Sequence, residues 1–263
     1  MTKIALISDL HNEFYRAAGQ PLPDIQLKTQ VDVLVLAGNI DVQAHGVRYA
    51  IEQSQKLAVP LVYVLGNHEF HGTPDKPVIE KVLEEAQGTD VTVLDAESVT
   101  ISGTRFIGAT LWTDMELLGR NRKNQILSHS ALNVSDYDKI KFTHKPVSQV
   151  FTPTHSCFWH EQDRSFIEAE LKKDDDVKKV VITHHAPSAQ CLSVGERDDL
   201  LSACRASHLD WMIEKYQPEA WLYGHIAYPN QLQLGKTTVI NNPCAHQQQA
   251  KLATYFEPLV LKV

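Results

Sequence analysis

Five apolar runs in this chain each end in residue types that bind metals. Run 3–8 leads into Asp9-Leu10-His11, 31–38 into Asn39-Ile40-Asp41, 61–66 into Asn67-His68-Glu69, 180–183 into His184-His185, and 220–224 into His225. Each is short and rich in Val, Ile, Leu or Tyr, the pattern of a buried strand. In an open α/β sheet, ligands gather outside the carboxyl ends of the strands. Strands that release Asp, Asn and His at one edge bring residues from opposite ends of the chain into a single polar cluster. One run ending in histidine would carry little weight. The recurrence points to a metal site assembled by the fold.

The 263 residues suffice for one large domain with a sizeable core, and the apolar (43%) and charged (22%) contents are those of a soluble globular protein. A net charge of -7 argues against nucleic-acid binding driven by overall charge. The apolar stretch after Met1-Thr2-Lys3 is too short for a signal peptide, and no run has the length of a membrane span. Cys157, Cys191, Cys204 and Cys244 show no C-x-x-C spacing and are expected to be reduced thiols of a cytoplasmic protein.

The spacing predicts helices over 46–57 and 76–87, the second with Pro77 near its start and Gly88 after its end. Three short strands, 91–94, 98–101 and 105–112, then suggest that a second sheet begins there. Residues 113–153 are polar and lack a clear period, which reads as an insertion carrying one or two helices around 115–132. Helices over 160–172 and 200–216 flank the strand 180–183, and short strands at 231–234, 237–241 and 259–262 close the chain. The whole of 1–263 reads as a single domain with 113–153 as an insertion or lid.

Asp9 and His11 put a hard oxygen and an imidazole two residues apart just past a strand, where both can reach one ion. Asn67 offers an amide oxygen, and His184 and His225 offer nitrogens at two further strand ends. Mixed Asp, Asn and His ligation suits Mn, Fe or Zn better than Ca or Mg.

The set resembles the calcineurin-like metallophosphoesterase superfamily, over almost the whole chain and in the right order. The motifs are Asp9-x-His11, Gly38-Asn39, Gly66-Asn67-His68-Glu69, His184-His185-Ala186-Pro187 and Gly224-His225-Ile226-Ala227. The resemblance implies two packed mixed sheets flanked by helices, a four-layer α/β/β/α sandwich. It implies a metal-dependent phosphoesterase acting on a small phosphomonoester or phosphodiester by metal-bound hydroxide. It also implies a first metal held by Asp9, His11 and positions 39 and 227, and a second held by position 39, Asn67, His184 and His225. His68 matches the residue that assists the leaving group, and His185 is expected behind the ligands or against substrate.

Two positions depart from that pattern. Asn39 stands where the family has a bridging aspartate, and Ala227 where it has a second histidine. Of the two anionic ligands only Asp9 remains, so two divalent ions would be poorly neutralised. An incomplete dinuclear site holding one or two ions is therefore expected. The alternatives are a catalytically silent relative that binds a phosphate ligand or partner, and an active parent altered to trap a ligand. Asp41 is expected to point away from the cluster. His45, His71 and His246 are candidates to reach it from loops. His129, His144, His155 and His160 read as surface residues, and Lys139, Lys141 and Lys145 as a solvated face.

Overall fold

The computed structural model describes residues 1–144, 147–244 and 253–263. Two sheets carry the fold. The first has the order Leu259–Lys262, Lys3–Ile7, Val33–Ala37, Leu61–Val64, Val91–Val93, all parallel except the first pair. The second has the order Asn230–Leu234, Thr237–Asn241, Ala220–Tyr223, Lys178–Thr183, Thr104–Ala109, Glu97–Ile101. Its central pairings are parallel and each edge is an antiparallel pair.

The central strands are buried on both faces, which is why they read as continuous apolar runs rather than alternating ones. Alternate side chains still divide between two cores. Ile4, Leu6, Val33, Val35, Val62 and Val64 meet Phe106, Val180, Ile182 and Leu222 between the sheets. The opposite faces pack on helices: Ile7, Leu36 and Tyr63 with Val47, Ala50 and Val82, and Val181, Trp221 and Val239 with Ile167, Met212 and Ile213. Helix, sheet, sheet and helix form the four expected layers.

Register places the site. Ile7 pairs with Leu36, and Ala37 with Val64. Thr183 pairs with both Tyr223 and Ala109. The strands of each sheet therefore stop at one level, and the residues after them emerge at one edge. The backbone ladder runs a step further, through Asp9 N–H to the Gly38 carbonyl (3.0 Å), His11 N–H to Asn39 (3.0 Å) and Gly224 N–H to His184 (3.0 Å).

Several elements differ from the sequence expectation, among them the helix expected over 160–172, which begins at Pro153. Val91–Val93 joins the first sheet beside Leu61–Val64 rather than opening the second. The single helix expected over 200–216 is a 3-10 turn, Leu200–Cys204, followed by helix Asp210–Tyr216. Between them the chain pairs with the segment after His185: Ala186 N–H donates to the Arg205 carbonyl (3.1 Å) and Ser207 N–H to that of Ala186 (3.0 Å). Those bonds to a neighbouring strand end replace helical ones. Within 113–153, helix Lys123–Asn133 matches expectation, but a turn of helix, Asp136–Lys139, and a ribbon, Lys141–His144 with Val147–Val150, had no sequence signal. No helix among the described residues is long and apolar enough to cross a membrane.

Candidate functional site

The two glycine-led turns, Gly38-Asn39 and Gly66-Asn67, bring the strand ends into contact. A Cβ on Gly38 would lie 2.4 Å from His184 Nδ1, and one on Gly66 would lie 2.4 Å from Asn39 Oδ1. Only glycine permits either approach. Asp9, His11, Asn39 and His225 all have left-handed backbones, with φ of 55°, 50°, 55° and 63°. Such conformations cost on the order of 1–3 kcal/mol each and cluster at functional sites, where the surrounding fold enforces them.

At Asn39 the brace is Glu69, which is fully buried. One of its oxygens accepts from Asn39 N–H (3.0 Å) and Gly66 N–H (2.7 Å), the other from Ile40 N–H (2.7 Å) and the Tyr63 hydroxyl (2.7 Å). This carboxylate ties the two turns together. Burial raises its pKa, and the four donors oppose that rise.

Asp9 sits where the two sheets meet. Its Oδ2 accepts from Ser8 Oγ (2.6 Å) and from His225 N–H across the cleft (3.0 Å). Its Oδ1 accepts from Asn39 Nδ2 (3.2 Å) and lies 3.9 Å from His11 Nε2. Burial raises the Asp9 pKa despite those partners and the nearby His11. Asn39 uses both ends of its amide, because its Oδ1 accepts from His68 N–H (3.0 Å).

Asn67, His184 and His225 form a second group. His184 is fully buried, and its Nδ1–H donates to the Ala37 carbonyl (2.9 Å). A carbonyl only accepts, so the proton is on Nδ1 and Nε2 presents a lone pair. That lone pair faces Asn67 Oδ1 (3.0 Å) and His225 Nδ1 (3.2 Å). The Asn67 orientation is set by Asp136, whose two oxygens accept from Asn67 Nδ2 at 2.9 and 3.0 Å. Burial holds His184 and His225 well below the usual histidine range; His185 adds to this at both, and His184 adds to it at His225. His185 lies behind them, its Nδ1–H on the Thr110 carbonyl (3.3 Å) and its ring against Trp112 and His225. Burial lowers its pKa to about 4.

The remaining expected residues lie around the rim. His68 lines a cleft of about 350 Å³ with Glu13, Phe14, His71 and Lys139. Its Nδ1–H donates to Glu13 Oε1 (2.9 Å), and so does that of His11 (2.8 Å). Burial works to raise the Glu13 pKa, but the two imidazoles outweigh it and hold the acid near 2. Burial likewise opposes charge on His11, yet Glu13, Asp9 and Glu69 together raise its pKa. Asp41 points away, paired with Arg16. His71 reaches the neighbourhood by donating to Asp136 (2.7 Å). Ala227 is exposed and carries no donor atom. His160, expected at the surface, is only 2% exposed, with Nδ1–H on the Leu111 carbonyl (2.8 Å). His246 and Lys145 lie outside the described residues.

Three residues of the site had no role assigned from sequence. Glu69 closes a motif but gave no hint that it braces the turns. Glu13 lies two residues past His11, a spacing that could have suggested it. Asp136 sits in a segment with no period, and nothing local marks it.

The comparisons with known proteins agree with this fold. The chain overlies the phosphopantetheinyl hydrolase PptH of Mycobacterium tuberculosis with a TM-score of 0.67 at 17% identity, over 98% of this chain and 95% of that one. It overlies the protein TT1561 of Thermus thermophilus with a TM-score of 0.52 at 13% identity, over 93% and 90%. Both likenesses are of fold. No curated protein matches the chain. The family model for calcineurin-like phosphoesterases, which are metal-dependent hydrolases, matches residues 2–229, and the chain belongs to that family.

Proposed function

We propose that this chain is a metal-dependent phosphoesterase that hydrolyses a small phosphomonoester or phosphodiester with an incomplete dinuclear site. The observation that carries the reading is the contact of Asn67 Oδ1 with the His184 Nε2 lone pair at 3.0 Å. With His225 Nδ1 there are three donor atoms and at most one proton to share among them. A buried group of facing acceptors is costly unless a cation or proton lies between. Neutral imidazoles and an amide oxygen fit Mn, Fe or Zn.

Asp9 Oδ1 and His11 Nε2, 3.9 Å apart, are the pair expected to face a first ion. Asn39 adjoins both groups. A bound divalent ion would polarise the phosphate oxygens and supply hydroxide near neutral pH. The chain's own residues do the rest. His68 stands in the cleft to protonate the leaving oxygen, with Lys139 at the rim to draw in the anion. The segment 113–153 shapes the pocket, since Asp136 and Lys139 both come from it. His185 backs the ligand group. The four free thiols, three of them buried, support a reducing, cytoplasmic setting.

One observation favours the silent alternative. Asn39 is satisfied by Asp9 and by His68 N–H with no cation needed, whereas an aspartate there would oppose Asp9. The test is metal analysis of protein purified without chelator, together with hydrolysis of aryl phosphate mono- and diesters with added manganese. With an alkyl phosphate, whose leaving group must be protonated, His68→Ala should lower turnover by ~10²–10⁴-fold with metal content unchanged. Protein that holds no metal and cleaves neither ester is the silent phosphate binder.

A further inference from the structure

A single oxygen, Glu13 Oε1, takes hydrogen bonds from two imidazoles: His11 Nδ1 at 2.8 Å and His68 Nδ1 at 2.9 Å. The two rings stand 4.4 Å apart and nearly perpendicular, so both Nδ1–H vectors converge on it. The other carboxylate oxygen, Oε2, is buried and without a hydrogen-bond partner among the described residues. Glu13 is held by this pair of histidines and by little else.

An ionised carboxylate only accepts, so both histidines carry their proton on Nδ1 when bonded to it. The consequence differs for each ring. His11 is left with Nε2 turned toward Asp9 Oδ1 at 3.9 Å, too far for a hydrogen bond and suited to two groups sharing a cation. His68 is left with Nε2 as the only atom through which it can pass a proton, and it lines the open cleft.

We propose that Glu13 is a shared positioning residue: one carboxylate sets the tautomer and ring orientation of both His11, which faces a metal, and His68, which faces the leaving group. The proposal rests on the phosphoesterase reading for its kinetic consequence only. A metal-facing histidine usually donates its second N–H to such an outer partner, and loss of the partner costs ~10–100-fold in affinity or activity. Here the same partner serves the acid as well. Metal binding and leaving-group protonation are thereby joined through one side chain, and a change at Glu13 must disturb both.

The same three residues admit a rival arrangement, because their ligand atoms all lie within 4.8 Å of one another and could surround an ion directly. The two arrangements separate experimentally. In the metal-free protein, long-range ¹⁵N–¹H spectra of the imidazoles, assigned with His11→Asn and His68→Asn, should report Nδ1–H for both rings. Glu13→Ala should abolish that preference at both. Glu13→Gln, which keeps the size of the side chain and one carbonyl oxygen with two lone pairs, should retain it at both rings, because both bonds converge on a single oxygen. With metal added, Glu13→Ala should weaken affinity by ~10–100-fold without changing the number of ions bound. Its hydrolysis of an alkyl phosphate should fall at least ~10-fold further than that of an aryl phosphate, whose leaving group needs no proton.

Loss of a whole metal equivalent in Glu13→Gln would overturn the proposal in favour of direct ligation. Unchanged tautomers in Glu13→Ala would overturn it outright. If the unaltered protein cleaves no ester, the phosphoesterase reading fails, and the spectra still decide the role of Glu13.

Discussion

Asn67 Oδ1 lies 3.0 Å from His184 Nε2, and neither atom carries a proton to share. The amide faces this way because its nitrogen is held by both oxygens of Asp136 at 2.9 and 3.0 Å. Asp136 is itself ionised: burial works against its charge, but His71 and Asn67 outweigh it and lower its pKa. A residue from the 113–153 segment therefore decides which end of Asn67 the histidines see.

Removing Asp136 should release that amide. In Asp136→Ala, Asn67 is free to flip and donate Nδ2–H to His184, closing the gap without a cation. We expect metal affinity to fall by ~10–100-fold, the usual effect of losing an outer partner. Asp136→Asn keeps one acceptor for Asn67 and should retain most of the affinity. Calorimetric titration with manganese or zinc checks both, and unchanged affinity in Asp136→Ala contradicts the orientation argument.

Asn39 donates to Asp9 Oδ1 at 3.2 Å, so Asn39→Asp sets two carboxylates against each other in a buried site. Like charges at that range destabilise unless a cation lies between them. The metal-free variant should lose ~1–3 kcal/mol, the scale of a buried polar group left unsatisfied, and manganese should restore it. Asn39→Asp with Ala227→His should raise metal affinity and ester hydrolysis further than either change alone, because the ligands share one cluster. Thermal melts with and without metal read the first effect. If added manganese does not raise the melting temperature of Asn39→Asp more than that of the parent, position 39 does not bridge.

Glu69 accepts from two backbone N–H groups of one turn, one of the other, and a buried hydroxyl. Glu69→Ala leaves all four donors without their acceptor. The cost should be on the order of 3–5 kcal/mol, as for breaking a buried charged network. Glu69→Gln keeps one strong acceptor and should lose less. Denaturant unfolding monitored by fluorescence measures both, and a loss below about 1 kcal/mol in the alanine variant would mean the turns hold without this brace.

The strands and the residues directly after them were legible because a short continuous apolar run is a local signal of a strand buried on both faces, and register then carries Asp9, Asn39, Asn67, His184 and His225 to one edge. What local signals cannot carry is partner choice. Asp41 points away as expected, but nothing local names Arg16 as its partner. His160 reads as a surface histidine at the head of an amphipathic helix, yet the Leu111 carbonyl draws it inside. Asp136 becomes part of the site only because the chain folds back over the Asn67 turn. The broken helix at 205–209 has the same origin: local propensity favoured continuation, and pairing with the loop after His185 prevailed.

Asp163 supplies a test away from the metal site. Its Oδ2 accepts from Leu111 N–H at 2.8 Å, and burial, with Asp95 nearby, pushes its pKa up to about 8 from 3.8. Between those values the folded protein keeps a proton that the unfolded chain has already lost. The unfolded state then binds fewer protons, so this group makes stability fall as pH rises from about 4 to about 8, and it adds no further slope above that. Asp163→Asn stays neutral throughout, and its amide oxygen can still accept from Leu111. The variant should match the parent near pH 4 and exceed it increasingly toward pH 8, by a few degrees in Tm, since ~1 kcal/mol corresponds to ~2–4 °C in a chain of this size. Melts across that range in protein freed of metal isolate the effect. A constant offset at every pH would mean that Asp163 is ionised in the fold at neutral pH.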